Sequence, residues 1–375
     1  MKAALIGAGQ IAKQHLGCLR ELPGVELAGV CDLSPAMAEA AAERFGVKAW
    51  FTDHRRMLAE VQPDVVHVTT PPHVHFALAR EVIAAGAHVV VEKPVTETLA
   101  EAEVLLAEAG RAGKHVVENH NYVWNAATRA IREQVASGAL GAVIHVEVLI
   151  CLDIAGPGGG FSDPNLRHPA LRLRGGAIAD FLPHLSSLAY AFVGAHRKVH
   201  TAWSKRLVSP LQHDEFRALV EAERGTASLG LSSSAQPDAF WLRVYCEKGQ
   251  AATNLFETRL TWDRVRGGPR PLRPTLNGLA EGKAIRRAAV RTLWRKFSGG
   301  PGTYDGLWEL LARTYRALAN GSELPVPAGR RGRAPPRRAS PAPPPARPAA
   351  PARERCAPGR GARRRRAAPG TRPRR

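Results

Sequence analysis

Over residues 1–120, continuous apolar runs alternate with segments of helical spacing. The runs are AALIGAG, VELAGVCD, DVVHVTTP, AHVVVEKP and KHVVEN. Between them lie SPAMAEAAAERFG, HFALAREVIAAG and ETLAEAEVLLAEAGRAG, with apolar residues three and four apart. Unbroken apolar runs suit strands covered on both faces, and strands alternating with helices of this length predict βαβ units in a doubly wound parallel sheet. Right-handed crossovers then place helices on both sides. One run, VVVEKPVT from Val89 to Thr96, ends in charged residues and a proline. The carboxyl edge of such a sheet is where ligands bind, although a strand that simply stops with its charges in water has the same pattern.

After about residue 122 the period changes. NAATRAIREQVASG reads as a helix and AVIHVEVLI as a strand; a glycine-rich loop follows at Gly156–Gly160, then a helix at GAIADFLPHLSSLAYAFVG. KVHTAWSKRLV, DEFRALVEAE, TASLGLSSSA, FWLRVYCEKG and AATNLF are strand-like segments with hairpin-length connections, which predict an antiparallel sheet. A helix at YDGLWELLARTYRALANG closes the ordered part. The fold class is therefore α/β: an N-terminal Rossmann doubly wound parallel sheet (1–122), then a C-terminal α+β domain with an open, mainly antiparallel sheet (123–327).

The 375 residues suffice for two cores, and no run approaches the roughly 18–20 apolar residues of a membrane span. The N-terminus enters a strand directly, without the apolar length of a secretory signal. Five scattered cysteines, never as C-x-x-C, argue against a disulfide framework and a zinc site and for the reducing cytoplasm. The net charge of +20 belongs mostly to the tail: residues 329–375 hold sixteen arginines against one acid. From Pro327 onward there is no Leu, Ile, Val, Phe, Tyr, Trp or Met, so residues 328–375 are expected to be disordered. The tail has three readings: an acidic-partner or nucleic-acid arm, which lacks an aromatic to stack on bases, an inert extension, or GC-rich DNA read out of frame. The abrupt change after SELPVPAG favours the last.

AALIGAGQIAKQHL gives Gly7-x-Gly9-x-x-Ala12 after a strand and at the opening of a helix. Here one glycine allows the tight turn, the other lets a pyrophosphate approach the backbone, and Ala12 keeps helix and strand close. Asp32 ends the next strand, where a carboxylate accepts from ribose hydroxyls and repels a 2′-phosphate. NAD is therefore expected, with NADP left open through Ser34; a glycine turn and a helix-capping Asp are the structural alternative. TTPPHVH, Thr69–His75, ends a strand on the same edge, and its prolines stiffen the loop. His73 and His75 can touch the ligand, or His75 can cap the following helix.

GAGQIA, TTPPHVH, AGAHVVVEKP, ENHNYVWNAATRAIREQVASGALGAVIHVEV and GGAIADFLPHLSSLAY, in this order, resemble the Gfo/Idh/MocA oxidoreductase family over roughly residues 1–325. The resemblance implies hydride transfer between NAD(P) and a hydroxyl or carbonyl carbon of a sugar, cyclitol or sugar nucleotide, in a homo-oligomer (dimer or tetramer). It implies cofactor contacts at Gly7, Gly9, Gln10, Ile11, Asp32, Thr70, Pro71, His75, Glu92 and Lys93. For Glu92 a simple pairing with Lys93 or the end of the strand stays open. Lys93 matches the catalytic lysine, with Pro94 cis; Asp180 and His184 match the substrate-orienting and acid/base pair, and Asn121 and Tyr122 are candidate substrate contacts. The residues agree: Asp180 and His184 are four apart on one helix face, histidine titrates nearest neutrality, and an ammonium can stabilise alkoxide charge. A solvated helix pair is the bland alternative. No third ligand has suitable spacing, so no metal is expected. Ser187 and Val123-Trp124 depart from the family's usual Asp and Arg-Phe, near the expected substrate pocket.

KAIRRAAVRTLWRKF, Lys283–Phe297, remains. It reads either as a basic amphipathic helix for an anionic membrane or as an insertion packed on the domain with its charges solvated. The rival to an enzyme is a non-catalytic NAD(P)-binding regulator or an inactive copy.

Overall fold

The computed structural model describes residues 1–154, 156, 168–206, 211–257, 259–265, 269–298 and 305–325. The glycine-rich loop at 157–160 and the expected disordered tail lie outside them.

The first sheet has strands β1 (Lys2–Ile6), β2 (Glu26–Cys31), β3 (Trp50–Phe51), β4 (Val65–Val68), β5 (His88–Val91) and β6 (Val116–Glu118). All pair in parallel, in the order β3-β2-β1-β4-β5-β6. Val65, Val66, Val68, Val89, Val90 and Val91 are buried, as strands covered on both faces require. The covering helices are α1 (Ala12–Glu21), α2 (Pro35–Phe45), α3 (His54–Val61), α4 (His75–Ala84) and α5 (Leu99–Arg111). Local chemistry sets their starts: Ser34 and Asp53 accept from Met37 and Arg55 amides, and Thr98 with Glu101 forms a capping box. Chain order reverses between β1 and β4, so the loops leaving these strands flank the crevice where ligands bind such sheets.

Two helices, α6 (Asn121–Trp124) and α7 (Ala126–Ala136), lead to the second sheet. Its strands are β7 (Val143–Cys151), β8 (His196–Ser204), β9 (Glu215–Ala222), β10 (Gly225–Ser232), β11 (Ala239–Cys246), β12 (Gly249–Asn254) and β13 (Arg259–Arg264), in the order β13-β12-β11-β7-β10-β9-β8. Pairing is antiparallel except between β7 and β10. Helix α8 (Gly176–Val193) lies on one face, burying Leu185, Leu188 and Phe192 among Val146, Val148 and Ala227. The opposite face carries Leu219, 49% exposed.

Two long helices follow, α9 (Arg273–Ser298) and α10 (Asp305–Asn320). α10 returns to the first half of the chain, packing on α6 and α1. Asp305 accepts from Asn125 Nδ2 (2.9 Å), and Leu307, Leu310 and Leu311 join one core with Leu19, Val123 and Ile131.

Candidate active site

The β1–α1 turn is built around one backbone approach. Gly7 has φ +98°, and a Cβ there would lie 2.7 Å from Thr70 Cγ2 and 2.9 Å from Thr70 N. Thr69 Oγ1 donates to Gly7 O (2.6 Å), and Gly7 N to Cys31 O (2.8 Å). Only glycine lets the loops after β1 and β4 close this tightly. A Cβ on Gly9 would meet nothing within 4 Å, so the space over the second glycine is open. No side chain caps α1 and its first turn has no acid, which suits an anion at the positive end of the helix dipole.

Asp32 accepts from Ala8 N (2.7 Å) and Ser34 N (2.9 Å), one bond to each carboxylate oxygen. Each oxygen keeps a lone pair for a hydroxyl. Ser34 Oγ serves as the α2 cap, accepting from Met37 N. Gln10 and Pro71 are exposed and Ile11 is half-buried at the start of α1. Thr70 Oγ1 is buried without a hydrogen-bond partner. Such an orphan beside an open glycine turn and an uncapped helix fits a dinucleotide.

On the next loop the Lys93–Pro94 peptide is cis. Lys93 Nζ donates to Asp180 Oδ1 (2.7 Å) and to Asp180 O (2.9 Å), both side chains being under one-fifth exposed. The β5 edge is thereby joined to α8, and Asp180 pairs with the lysine. One turn on, His184 packs edge-on against the Tyr122 ring, centroids 4.9 Å apart, and its Nδ1 is buried with no partner. Desolvation, then the Lys93 charge, holds its pKa well below the usual histidine value. The imidazole is therefore neutral at neutral pH and has a lone pair for a proton. His168, missed in the sequence reading, is half-buried where the charges of both Asp180 and Lys93 reach it. Among the described residues no cluster suited to a metal ion occurs.

His75 lies fully buried, its ring nitrogens each 2.8 Å from a carbonyl, Pro94 O and Thr70 O. It therefore neither caps α4 nor has a ring nitrogen left for a ligand; it ties the Lys-Pro turn to the β4 loop. His73 is exposed. Asn121 is buried at the start of α6. Val123 and Trp124 belong to the core, Trp124 lying under the Arg132 and Arg313 guanidiniums, so this departure faces packing and not the crevice. Ser187 Oγ donates to His184 O (3.2 Å).

Behind Lys93 runs a buried array absent from the sequence reading. Tyr315 OH lies 3.0 Å from His67 Nε2, His67 Nδ1 2.8 Å from His15 Nδ1, and His15 Nε2 2.9 Å from Glu92 Oε1. Asn119 Nδ2 donates to the same oxygen (2.5 Å), and the other carboxylate oxygen accepts from Lys93 N (3.2 Å). Glu92 thus neither pairs its carboxylate with the Lys93 ammonium nor simply ends the strand; it is the buried end of a chain reaching α10. Desolvation opposes its ionisation, but the His15 hydrogen bond and charge, with Asn119 and Lys93, prevail and hold it at about 2. His67 is kept neutral by burial and by His15. A neutral His67 ring offers one donor and one acceptor, which suits an unbroken chain.

These neutral rings give acid sensitivity. Below about pH 6.5 the unfolded chain protonates histidines that the folded chain keeps neutral, so the stability held by His67 and His184 is complete above that pH and declines beneath it. The melting temperature is expected to fall from pH 7 to 5, and His67→Gln to flatten that slope. An unchanged melting temperature over this range contradicts it.

Residues 1–120 match the family model described as "Oxidoreductase family, NAD-binding Rossmann fold", and residues 128–252 match the "GFO/IDH/MocA C-terminal domain". D-glucoside 3-dehydrogenase of Escherichia coli (strain K12) is 33% identical over 197 residues, covering 52% of this chain and 54% of that protein. D-apiose dehydrogenase of Paraburkholderia graminis is 32% identical over 140 residues, 37% of each. The chain thus spans about half the length, or less, of these relatives. A levoglucosan dehydrogenase solved with NADH and levoglucosan shares the fold, with TM-score 0.69 at 20% identity over 88% of this chain and 92% of that one.

Proposed function

The chain belongs to the GFO/IDH/MocA oxidoreductase family, and from that premise we propose that it is an NAD-dependent dehydrogenase or reductase acting on a hydroxyl or carbonyl carbon of a sugar-like substrate. The observation that carries this reading is the Lys93–Asp180 ion pair at the carboxyl edge of β5, with neutral His184 one turn along α8. NAD, held at the Gly7–Gly9 turn and Asp32, would supply the hydride acceptor for the carbinol carbon, or the hydride donor in reduction. His184 takes the hydroxyl proton during oxidation and gives it back in reduction. Lys93 donates to the reacting oxygen and stabilises the negative charge it develops, while Asp180 holds the ammonium in place and orients a neighbouring hydroxyl. Tyr122 and Asn121 border the substrate, and Asp32 selects NAD over NADP.

The four described cysteines are free, which suits a reducing cytoplasm, and among the described residues no helix is long and apolar enough to cross a membrane. The sheet face that carries Leu219, about half exposed, is the proposed contact of a dimer or tetramer. Substrate-dependent NADH formation over a panel of sugars, cyclitols and sugar nucleotides tests the activity. Turnover confined to compounds with an oxidisable carbinol supports it; NAD binding without turnover on any of them contradicts it and leaves a regulator.

A further inference from the structure

Helix α9 lies outside the chemistry just described, and most of its surface is exposed. It rests on β13 by a face of small residues: Asn277 donates to Arg264 O (3.1 Å), while Ala280 and Ala284 line a cleft with Trp262 and Val265. At about 100° per residue, Leu276, Leu279, Val290, Leu293 and Trp294 gather within an arc of roughly 100°, centred about 120° around the helix from that face. They are 45%, 68%, 69%, 58% and 73% exposed. Five large apolar side chains in one solvent-facing row exceed the scattered exposure normal for a soluble surface. Lys283 and Arg286 lie inside the row, Arg287 beside it and Arg291 further round towards the β13 face, and among the described residues none of these four has an ion-pair partner. The helix sequence carries seven basic residues and one acid, Glu281.

We propose that α9 is a membrane-docking element that seats the protein on an anionic phospholipid surface, its apolar row at the acyl boundary and its basic side chains on headgroup phosphates. Charge complementarity selects this occupant. A two-fold contact with a second copy would set the same basic row against itself, whereas a phosphate surface pairs every one of those cations. Lysine and arginine within an apolar stripe are suited to an interface, because their stems bury while their heads reach the phosphates. A nucleic acid would use the cations but leave four aliphatic side chains wet, with Trp294 alone to stack on a base. An interfacial helix uses both sets.

The test is sedimentation of the full chain with phosphatidylcholine vesicles, with and without phosphatidylglycerol. Wild type is compared with Leu279→Asp/Trp294→Asp and with Arg286→Glu/Arg287→Glu. All these side chains are exposed on a helix that packs chiefly on β13, so melting temperature and NAD binding verify each fold. The basic residues 329–375 are identical throughout, so a difference between proteins reports on α9. At least tenfold greater recovery on anionic vesicles, lost in both variants, is expected. Four outcomes overturn the proposal: no vesicle binding; binding retained by Leu279→Asp/Trp294→Asp, which assigns it to charge alone; self-association in light scattering abolished by that variant, which assigns the row to a second copy; or binding to single-stranded DNA in preference to anionic vesicles.

Discussion

Lys93→Met is expected to lower kcat/KM by about 10²–10⁴-fold, roughly 3–5 kcal/mol of transition-state stabilisation. Methionine keeps the length and apolar stem of the side chain and removes the nitrogen that donates to Asp180 Oδ1 and Asp180 O. Two effects add. The reacting oxygen loses the ammonium that would stabilise its charge, and the Asp180 carboxylate loses its ion-pair partner in a site where it is only 17% exposed. The second effect costs stability as well, about 1–3 kcal/mol, so the melting temperature should fall by several degrees. NAD affinity should stay within about tenfold, because the glycine turn and Asp32 are untouched. Steady-state kinetics, thermal melting and calorimetric NAD titration separate the three effects. Unchanged kcat/KM with a lowered melting temperature would assign Lys93 to packing alone.

The glycine turn allows a cleaner separation of binding from folding. In Gly9→Ala the new methyl meets nothing within 4 Å, and the residue needs no positive φ, so the melting temperature should not change. The methyl would occupy the open space through which the pyrophosphate approaches, and NAD should bind about 10–100-fold more weakly. Gly7→Ala differs in kind. It places a side chain at φ +98° and drives a Cβ to 2.7 Å from Thr70 Cγ2, so it should cost about 1–3 kcal/mol of stability in addition to binding. Equal NAD affinity in wild type and Gly9→Ala would remove this turn from the cofactor site.

The parts of the site readable from sequence are those whose chemistry lies within one short segment. The glycine turn, the Val89–Lys93 strand end and the four-residue spacing of Asp180 and His184 are local, and each predicted face or edge agrees with the fold. Contacts across the fold were hidden. Asp180 pairs with Lys93, 87 residues away, and the His15–Glu92 and His67–Tyr315 bonds join residues 77 and 248 apart. His15 and His67 stand in a helix and a strand where a lone histidine reads as ordinary packing, so no local signal marks them. Strand β13, RLTWDR, is mostly polar because it is an edge strand, and β3 has two residues, too few for a period. The parallel pairing of β7 with β10 arises because the chain returns through α8, β8 and β9, a long-range choice that hairpin spacing does not encode. Gly278 and Gly282 concealed the full length of α9, whose predicted portion began at Lys283.

The central claim is that Lys93, Asp180 and His184 form a working centre for hydride transfer and not the relic of one. It is tested most directly by following NADH formation by wild type and Lys93→Met on the same substrate panel, with NAD binding measured on the same samples. Turnover by wild type on at least one hydroxyl-bearing compound, reduced at least 10²-fold in a variant that still binds NAD, is the predicted result. Matching rates in the two proteins, or NAD binding by both with no NADH from either, would contradict it.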